Sequence, residues 1–237
     1  RSTLFPYTTL FRSMADGQNV FDGFTSFIPN QEWKADEAAE SLINAKIIDP
    51  VIIVAIDNAG AQRANEYLPT KDKRNGWGGK ADLFAKMLIE EIKPMIDSQY
   101  RTKRGPRDTA FIGSSYGGIL ALHLGLAYPG TFGKLGVVSP SLDWDDQIML
   151  KRISALDGLR DQRYWIDVGT DEWGPMVGFA EQAAKQLRRR HAMPAVAMRK
   201  IDVGGEAADL RDAGQRQGEL AAPGEVDLRV LQRREGF

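Results

Sequence analysis

The 237-residue sequence contains no cysteine, only two histidines and no long apolar run. Without cysteine, the chain forms no disulfide, uses no thiol nucleophile and offers no thiolate to a metal. Two histidines, His123 and His191, are too few to build a histidine metal site, so we expect neither a metal nor a cofactor. No stretch approaches the roughly 20 apolar residues that span a bilayer, which predicts a soluble protein.

A strong charge of either sign is also missing. The 32 acidic residues nearly cancel the 31 basic ones, so no overall field points to nucleic acid or to an anionic membrane as a partner. The length is sufficient to bury a sizeable core, and single α/β domains often reach this size. We therefore expect one main domain.

Both ends of the chain differ from its middle. Residues 1–13, RSTLFPYTTLFRS, have neither the apolar core of a signal peptide nor a helical or strand period, and they resemble a translated sequencing-adapter read. We predict that this segment is non-native and that the native N-terminus is missing, with any signal peptide and at least one early strand. Residues 207–237 lack a clear amphipathic period, which predicts a divergent or frame-shifted tail.

Between these ends, in a domain predicted over 14–206, apolar runs alternate with helical periods. The continuous β-branched run at 51–56 is typical of a strand that is covered on both faces. Further strands are predicted near 110–112, 135–138, 164–168 and 195–201, with helices near 81–100 and 177–190. This alternation predicts a parallel sheet with its site at the carboxyl ends of the strands.

The strongest local pattern is Gly113-Ser-Ser-Tyr-Gly117, between the apolar run 110–112 and a helical period. G-x-S-x-G in a strand-to-helix context is typical of a nucleophile elbow, in which small residues allow a sharp turn that exposes the central serine. A phosphate loop would need a Lys-Ser or Lys-Thr pair, and a dinucleotide turn would need G-x-G-x-x-G near the start of the chain. Neither is present, so the pattern favours a nucleophilic Ser115 over a turn that serves packing alone.

Two further loops carry candidate residues at the same edge. Asp171 and Glu172 follow the strand 164–168 and could orient a catalytic base, although acids before a helix also serve as caps. Trp144 and Trp173 follow loops at this edge, where they would either line an acyl or aryl pocket or act as hydrophobic anchors.

Several spaced motifs together resemble the putative-esterase family of α/β-hydrolases, which includes enterochelin esterases, S-formylglutathione hydrolases, feruloyl esterases and mycolyltransferases. The resemblance covers about 16–206 and rests on seven motifs in the family's order: Asp16-Gly-Gln-Asn-Val-Phe-Asp, Glu66-Tyr-Leu-Pro, Glu91-Ile-Lys-Pro-Met-Ile-Asp, Gly113-Ser-Ser-Tyr-Gly-Gly, Ser139-Pro-Ser, Asp167-Val-Gly-Thr-Asp-Glu and Gly204-Gly-Glu. It implies an α/β-hydrolase fold, a three-layer sandwich with a mostly parallel central sheet. It also implies a carboxylic-ester hydrolase that acts on a small-molecule ester or thioester, with acyl transfer as a variant.

The same resemblance assigns roles to residues. It implies that Ser115 is the nucleophile, that Glu172 orients the histidine with Asp171 as the alternative, and that the backbone N–H groups of Tyr116 and Gln18 form the oxyanion hole.

The family's histidine is missing from its expected place. It follows the Gly-Gly-Glu of the last motif, which corresponds to position 207, where this sequence has Ala207. His123 lies eight residues beyond Ser115 on the predicted helix, about 12 Å along its axis, and His191 ends an arginine-rich helix. Two hypotheses therefore remain, an esterase impaired by this loss and a non-catalytic binding protein on the same fold.

Overall fold

The computed structural model describes residues 9–157, 161–172, 174–190 and 196–201, together with the backbone of 226–231. Its strands are β1 (Leu10–Ala15), β2 (Val51–Ile56), β3 (Thr109–Ser114), β4 (Lys134–Val138), β5 (Arg163–Gly169), β6 (Val196–Ile201) and β7 (Val226–Leu231). They form one sheet in the order β6-β5-β4-β3-β1-β2-β7. All neighbouring strands are parallel except β7, which pairs antiparallel with β2.

Helices connect the parallel strands. They are α1 (Ala35–Asn44), α2 (Arg63–Tyr67), α3 (Ala81–Lys86), α4 (Lys93–Gln99), α5 (Tyr116–Ala127), α6 (Trp144–Ser154) and α7 (Met176–Arg188). A π-helical segment, Met87–Ile92, joins α3 to α4 just before Pro94, where the proline nitrogen has no hydrogen to donate to the helical ladder. None of the described helices is both long and apolar enough to cross a membrane.

The sheet is buried on both faces. Along β2, Ile52, Val54 and Ile56 enter one hydrophobic cluster, whereas Val51, Ile53 and Ala55 enter a second cluster on the other side. Successive side chains of a strand point to opposite faces, so a continuous apolar run is the expected sequence of a doubly covered strand. This confirms the interior strand and the three-layer α/β architecture that were predicted from the sequence.

The N-terminal boundary differs from the prediction. Residues 10–13 belong to β1, which lies in the middle of the sheet between β2 and β3, so the sheet begins before the predicted boundary at residue 14. The non-native origin of residues 1–13 stays a prediction. Phe11 is fully buried, and the Arg12 guanidinium donates to the carbonyl oxygens of Phe11 and Asp108. These hydrogen bonds accommodate an arginine in a central strand, where it interrupts the apolar run that would have signalled the strand.

The C-terminal boundary at residue 206 also differs, because β7 extends the sheet beyond β2. Its sequence, Val226-Asp-Leu-Arg-Val-Leu, alternates apolar and polar residues as a strand does. Ala207 lies outside the described residues.

The order of the strands reverses beside β1. The chain passes from β1 to β2 on one side and then crosses to β3 on the other. In open α/β sheets, ligands bind in the crevice at the carboxyl ends of such strands. Asp16 follows β1 and Ser115 follows β3, so the two motifs meet at this point.

Candidate active site

Ser115 occupies a strained turn between β3 and α5. Its backbone has φ 57° and ψ −116°, a conformation that costs about 1–3 kcal/mol for a residue with a side chain. The Ser115 N–H donates to the carbonyl of Val138 at 3.0 Å, and the Ser115 carbonyl accepts from Gly118 at 3.0 Å and from Ile119 at 3.2 Å. The end of β4 and the first turn of α5 therefore hold the strained residue in place.

Close backbone contacts explain the glycines of the elbow. A Cβ added to Gly113 would lie 2.4 Å from the carbonyl oxygen of Gly117, and one added to Gly118 would lie 3.0 Å from the Cβ of Pro140. Gly113 thus permits the sharp turn itself, and Gly118 permits the approach of the loop after β4.

The Ser115 hydroxyl is hydrogen-bonded to a second serine. Its Oγ lies 3.1 Å from the Oγ of Ser141, and the Ser141 N–H donates to the Ser115 carbonyl at 3.4 Å. Ser141 belongs to the Ser139-Pro-Ser motif, for which the sequence predicted no role. No sequence spacing indicates that this loop returns to the elbow.

A tight turn after β1 lies against the elbow helix. Asp16 is left-handed, with φ 56° and ψ 51°, and a Cβ on Gly17 would lie 2.6 Å from the backbone of Ile56. A Cβ on Gly117 would lie 3.3 Å from that of Ala15. The turn that carries Gln18 therefore packs beside the start of α5, where Tyr116 is the first helical residue and its N–H precedes the helical ladder.

A buried ion pair ties this turn to the elbow. Arg63 donates from Nε to Asp16 Oδ1 at 2.6 Å and from Nη2 to Oδ2 at 2.9 Å, and Nη2 also reaches the Ser114 carbonyl at 3.3 Å. The Asn58 amide donates to Asp16 Oδ1 at 2.8 Å. Arg63 was not predicted as a site residue, because a lone arginine three residues before Glu66 has no recognisable spacing to Asp16.

Burial and charge shift the pKa values around this pair. Burial lowers the pKa of Arg63, but the Asp16 carboxylate outweighs it, so the net shift is upward. Burial raises the pKa of Tyr67, whose hydroxyl oxygen accepts the Asp16 N–H at 2.9 Å. Burial likewise raises the pKa of Glu66, against the hydrogen bond from the Ala59 N–H.

The two candidate acids have different surroundings. Glu172 is half-buried and lines a cavity of about 240 Å³ together with Tyr116, Ser141, Asp143, Trp144 and Met176. Asp171 is exposed and does not line it. The geometry thus brings Glu172, and not Asp171, to the cavity beside the elbow.

Trp144 combines the two roles that the sequence left open. Its side chain is buried, packs edge-to-face on Tyr116 at 5.5 Å between ring centroids and donates to the Thr70 carbonyl at 3.4 Å. It also forms part of the cavity wall. Trp173 lies outside the described residues.

Both ring nitrogens of His123 form hydrogen bonds with residues other than Ser115. It is buried, with Nε2 2.9 Å from Asp82 Oδ1 and Nδ1 3.2 Å from an Arg152 guanidinium nitrogen. An arginine nitrogen donates only, so Nδ1 is the acceptor and Nε2 carries the proton to Asp82. His191 lies outside the described residues.

Comparison with known proteins identifies the family. The family model described as "Putative esterase" matches residues 19–215. The chain belongs to this family. It is 32% identical to the ferri-bacillibactin esterase BesA of Bacillus subtilis over 91 residues, which are 38% of this chain and 31% of BesA. It is 23% identical to the uncharacterized protein YbbA of the same organism over 65% of this chain and 63% of YbbA.

Solved structures share the fold of this chain. The enterobactin esterase FES of Shigella flexneri superposes with a TM-score of 0.68 at 20% identity, over 91% of this chain and 52% of FES. The BES protein of Bacillus cereus gives 0.64 at 19% identity, over 92% of this chain and 84% of that protein. These structures share the α/β-hydrolase fold of this chain, whereas the family match shows its lineage among carboxylic-ester hydrolases.

Proposed function

We propose that this esterase cleaves a small-molecule carboxylic ester or thioester through an acyl-enzyme on Ser115, and that the polypeptide is impaired because Ala207 stands where the family has its histidine. The observation that carries the proposal is the strained Ser115 at a strand-to-helix turn, beside a cavity that also holds Glu172. Ser115 is half-buried, and a strained serine at a strand-to-helix turn is typical of a nucleophile elbow.

In the proposed reaction, Ser115 Oγ attacks the carbonyl carbon and the carbonyl oxygen becomes an oxyanion. The N–H groups of Tyr116 and Gln18 belong to adjoining segments and supply the two donors for that charge. Removal of one such donor costs about 3 kcal/mol of transition-state stabilisation. Collapse of the intermediate expels the alcohol or thiol, and water then releases the acid.

The missing component is the base. A serine hydroxyl is almost wholly protonated at neutral pH, so attack needs a proton acceptor within hydrogen-bond reach. In the described part of the chain, the only partner of Ser115 Oγ is the Ser141 hydroxyl, which is no stronger a base than Ser115. Both nitrogens of His123 are engaged elsewhere. Glu172 would orient an imidazole, and the described part of the chain places none beside it.

The names of relatives guide the choice of substrates. BesA is named a ferri-bacillibactin esterase, and the FES structure was determined in the presence of enterobactin. We propose that this chain also accepts an ester of a small organic molecule. The cavity of about 240 Å³ suits a short acyl or aryl group.

A short-chain chromogenic ester tests the proposal. We expect the unaltered chain to hydrolyse p-nitrophenyl butyrate slowly, with a residual rate on the order of 10³ to 10⁴ above water. Ala207→His should raise the rate, and Glu172→Ala should cancel that gain whereas the matched change Asp171→Ala should not. Turnover of the unaltered chain at about 1 s⁻¹ or faster, lost on Ser115→Ala, would show that another residue is the base.

Ala207 also favours the second candidate, a non-catalytic protein that binds acyl compounds. Calorimetric titration with a non-hydrolysable ester analogue measures binding separately from turnover. Tight binding together with a rate equal to that of Ser115→Ala would support this candidate over the esterase.

A further inference from the structure

The cavity beside Ser115 is lined by both aromatic and acidic residues. Its lining includes two aromatic residues, Tyr116 and Trp144, and two acidic residues, Asp143 and Glu172. Aromatic faces and carboxylates both attract cations and N–H donors, and they repel anions. The walls therefore favour a nitrogen base over an acidic ligand.

The two nearby arginines are each paired with another carboxylate, although Arg74 also attracts Asp143 and the Arg63 guanidinium lies 5.4 Å from the centroid of the Tyr116 ring. Arg63 is bound by both oxygens of Asp16, and Arg74 is paired with Asp72 at 3.0 Å. Among the described residues, no lysine or arginine lines the cavity. The cavity thus has a net negative lining.

The cavity also borders the nucleophile. Ser141 lines it, and Ser141 Oγ lies 3.1 Å from Ser115 Oγ. A planar ring held there can donate an N–H to the Glu172 carboxylate and direct its second nitrogen towards the serine pair. Imidazole has one donor and one acceptor nitrogen on opposite sides of the ring, and its five heavy atoms fit within about 240 Å³.

We propose that this cavity binds a free imidazole-class base, which takes the proton of Ser115 and restores its nucleophilicity. The proposal rests on the proposed role of Ser115 as nucleophile. In acylation, the neutral ring nitrogen accepts the hydroxyl proton as Oγ bonds to the carbonyl carbon, and the imidazolium returns that proton to the leaving oxygen as the carbon–oxygen bond breaks. In deacylation, the ring takes a proton from water as the water oxygen displaces Oγ, and then returns it to Ser115.

Phosphonylation of Ser115 tests the proposal without interference from the reaction of imidazole with esters in solution. The full chain is mixed with a fluorophosphonate, and the labelled fraction is followed by intact-protein mass spectrometry and located by peptide mapping. Oγ bonds to phosphorus, fluoride leaves and the proton stays on imidazole. We expect the labelling rate to rise at least about tenfold and to saturate, with half-saturation on the order of 1 to 100 mM for a ligand of this size.

A matched pair of variants locates the effect. Glu172→Gln keeps the shape of the side chain but removes its charge, so the half-saturation concentration should rise severalfold. Asp171→Asn makes the same kind of change at the exposed neighbour and should leave it unaltered. Saturation-transfer NMR of imidazole measures binding in each variant independently of labelling.

Three outcomes would overturn the proposal: a rate that rises linearly with imidazole and equally in Glu172→Gln, a rate that does not respond, or NMR binding without acceleration. Labelling of Ser115 that is independent of imidazole overturns the cavity proposal but supports Ser115 as the nucleophile. Saturable binding that depends on Glu172, with Ser115 unlabelled under every condition, would refute the proposed nucleophile as well as the base role.

Discussion

We expect the ion pair between Arg63 and Asp16 to contribute more to the free energy of unfolding than any other polar contact in the candidate site. Its side chain is 14% exposed and that of Asp16 is 4% exposed, and two hydrogen bonds of 2.6 and 2.9 Å join them. Arg63→Ala would leave the Asp16 carboxylate buried without its cation. Removal of one partner of a buried pair costs about 3–5 kcal/mol.

The remaining partners of Asp16 place the loss at the lower end of this range. Asn58 still donates to Oδ1, and the Asp16 N–H still donates to Tyr67. We therefore expect Arg63→Ala to lower the free energy of unfolding by about 3 kcal/mol, which for a chain of this length is roughly 6–12 °C in Tm. Arg63→Lys keeps the charge but loses the fork, so its loss should be smaller.

Urea denaturation followed by tryptophan fluorescence and circular dichroism measures these changes. The matched control is Arg107→Ala, since Arg107 forms an ion pair with Asp161 in which both side chains are more than 80% exposed. We expect no measurable shift for this control, because exposed pairs contribute little. Equal denaturation midpoints for Arg63→Ala and the unaltered chain would refute the importance of the buried pair.

Three further predictions concern stability. Gly113→Ala should lower the free energy of unfolding by about 2 kcal/mol or more, because the new Cβ would lie 2.4 Å from the Gly117 carbonyl oxygen. The control Gly178→Ala, whose new Cβ meets nothing within 4 Å inside α7, should raise the free energy of unfolding by up to about 1 kcal/mol. Equal urea midpoints for the two variants would contradict this prediction. Ser115→Gly should stabilise the chain by about 1 kcal/mol, because glycine adopts φ 57° without a Cβ penalty, and a lower thermal midpoint would show that the turn is unstrained. Burial lowers the pKa of folded His123 below its ordinary 6.5, so the unfolded chain binds more protons than the folded chain between the folded and unfolded pKa values. The free energy of unfolding should therefore fall as the pH drops below about 6.5, and His123→Gln should weaken this pH dependence in urea titrations. An unchanged pH dependence would show that another group titrates.

The sequence predicted those parts of the fold in which local pattern and tertiary structure agree. The run 51–56 is apolar throughout because both faces of β2 are covered, and the glycine at 113 is required by a turn that is local in sequence. The family resemblance supplied the fold and lineage, which the comparisons confirm. These features need no knowledge of distant contacts.

The features that were missed depend on contacts between distant residues. Arg63 binds Asp16 across 47 positions and Ser141 meets Ser115 across 26, so no spacing predicts either pair. Residues 10–13 of β1 were left out of the predicted domain because they show no strand period and resemble an adapter read. In the structure, Arg12 and Ser13 interrupt the apolar pattern there, and their polar groups bond to carbonyls at Asp108 and Ala110. From the sequence alone, a polar residue within a strand suggests a loop, because the sequence does not show its hydrogen-bond partner.

The candidate site is assembled from three segments, and each is fixed by contacts that do not involve a base. The end of β4 and the first turn of α5 hold Ser115, Arg63 and Asn58 hold the Asp16 turn, and the Ser141 N–H donates to the elbow carbonyl. A change confined to position 207 breaks none of these contacts. Preorganised donors act on the transition state irrespective of which group removes the serine proton. If Ala207 stands where the family has its histidine, as we propose, the rest of this arrangement stays in place. A base supplied from outside the chain then tests whether the arrangement supports catalysis.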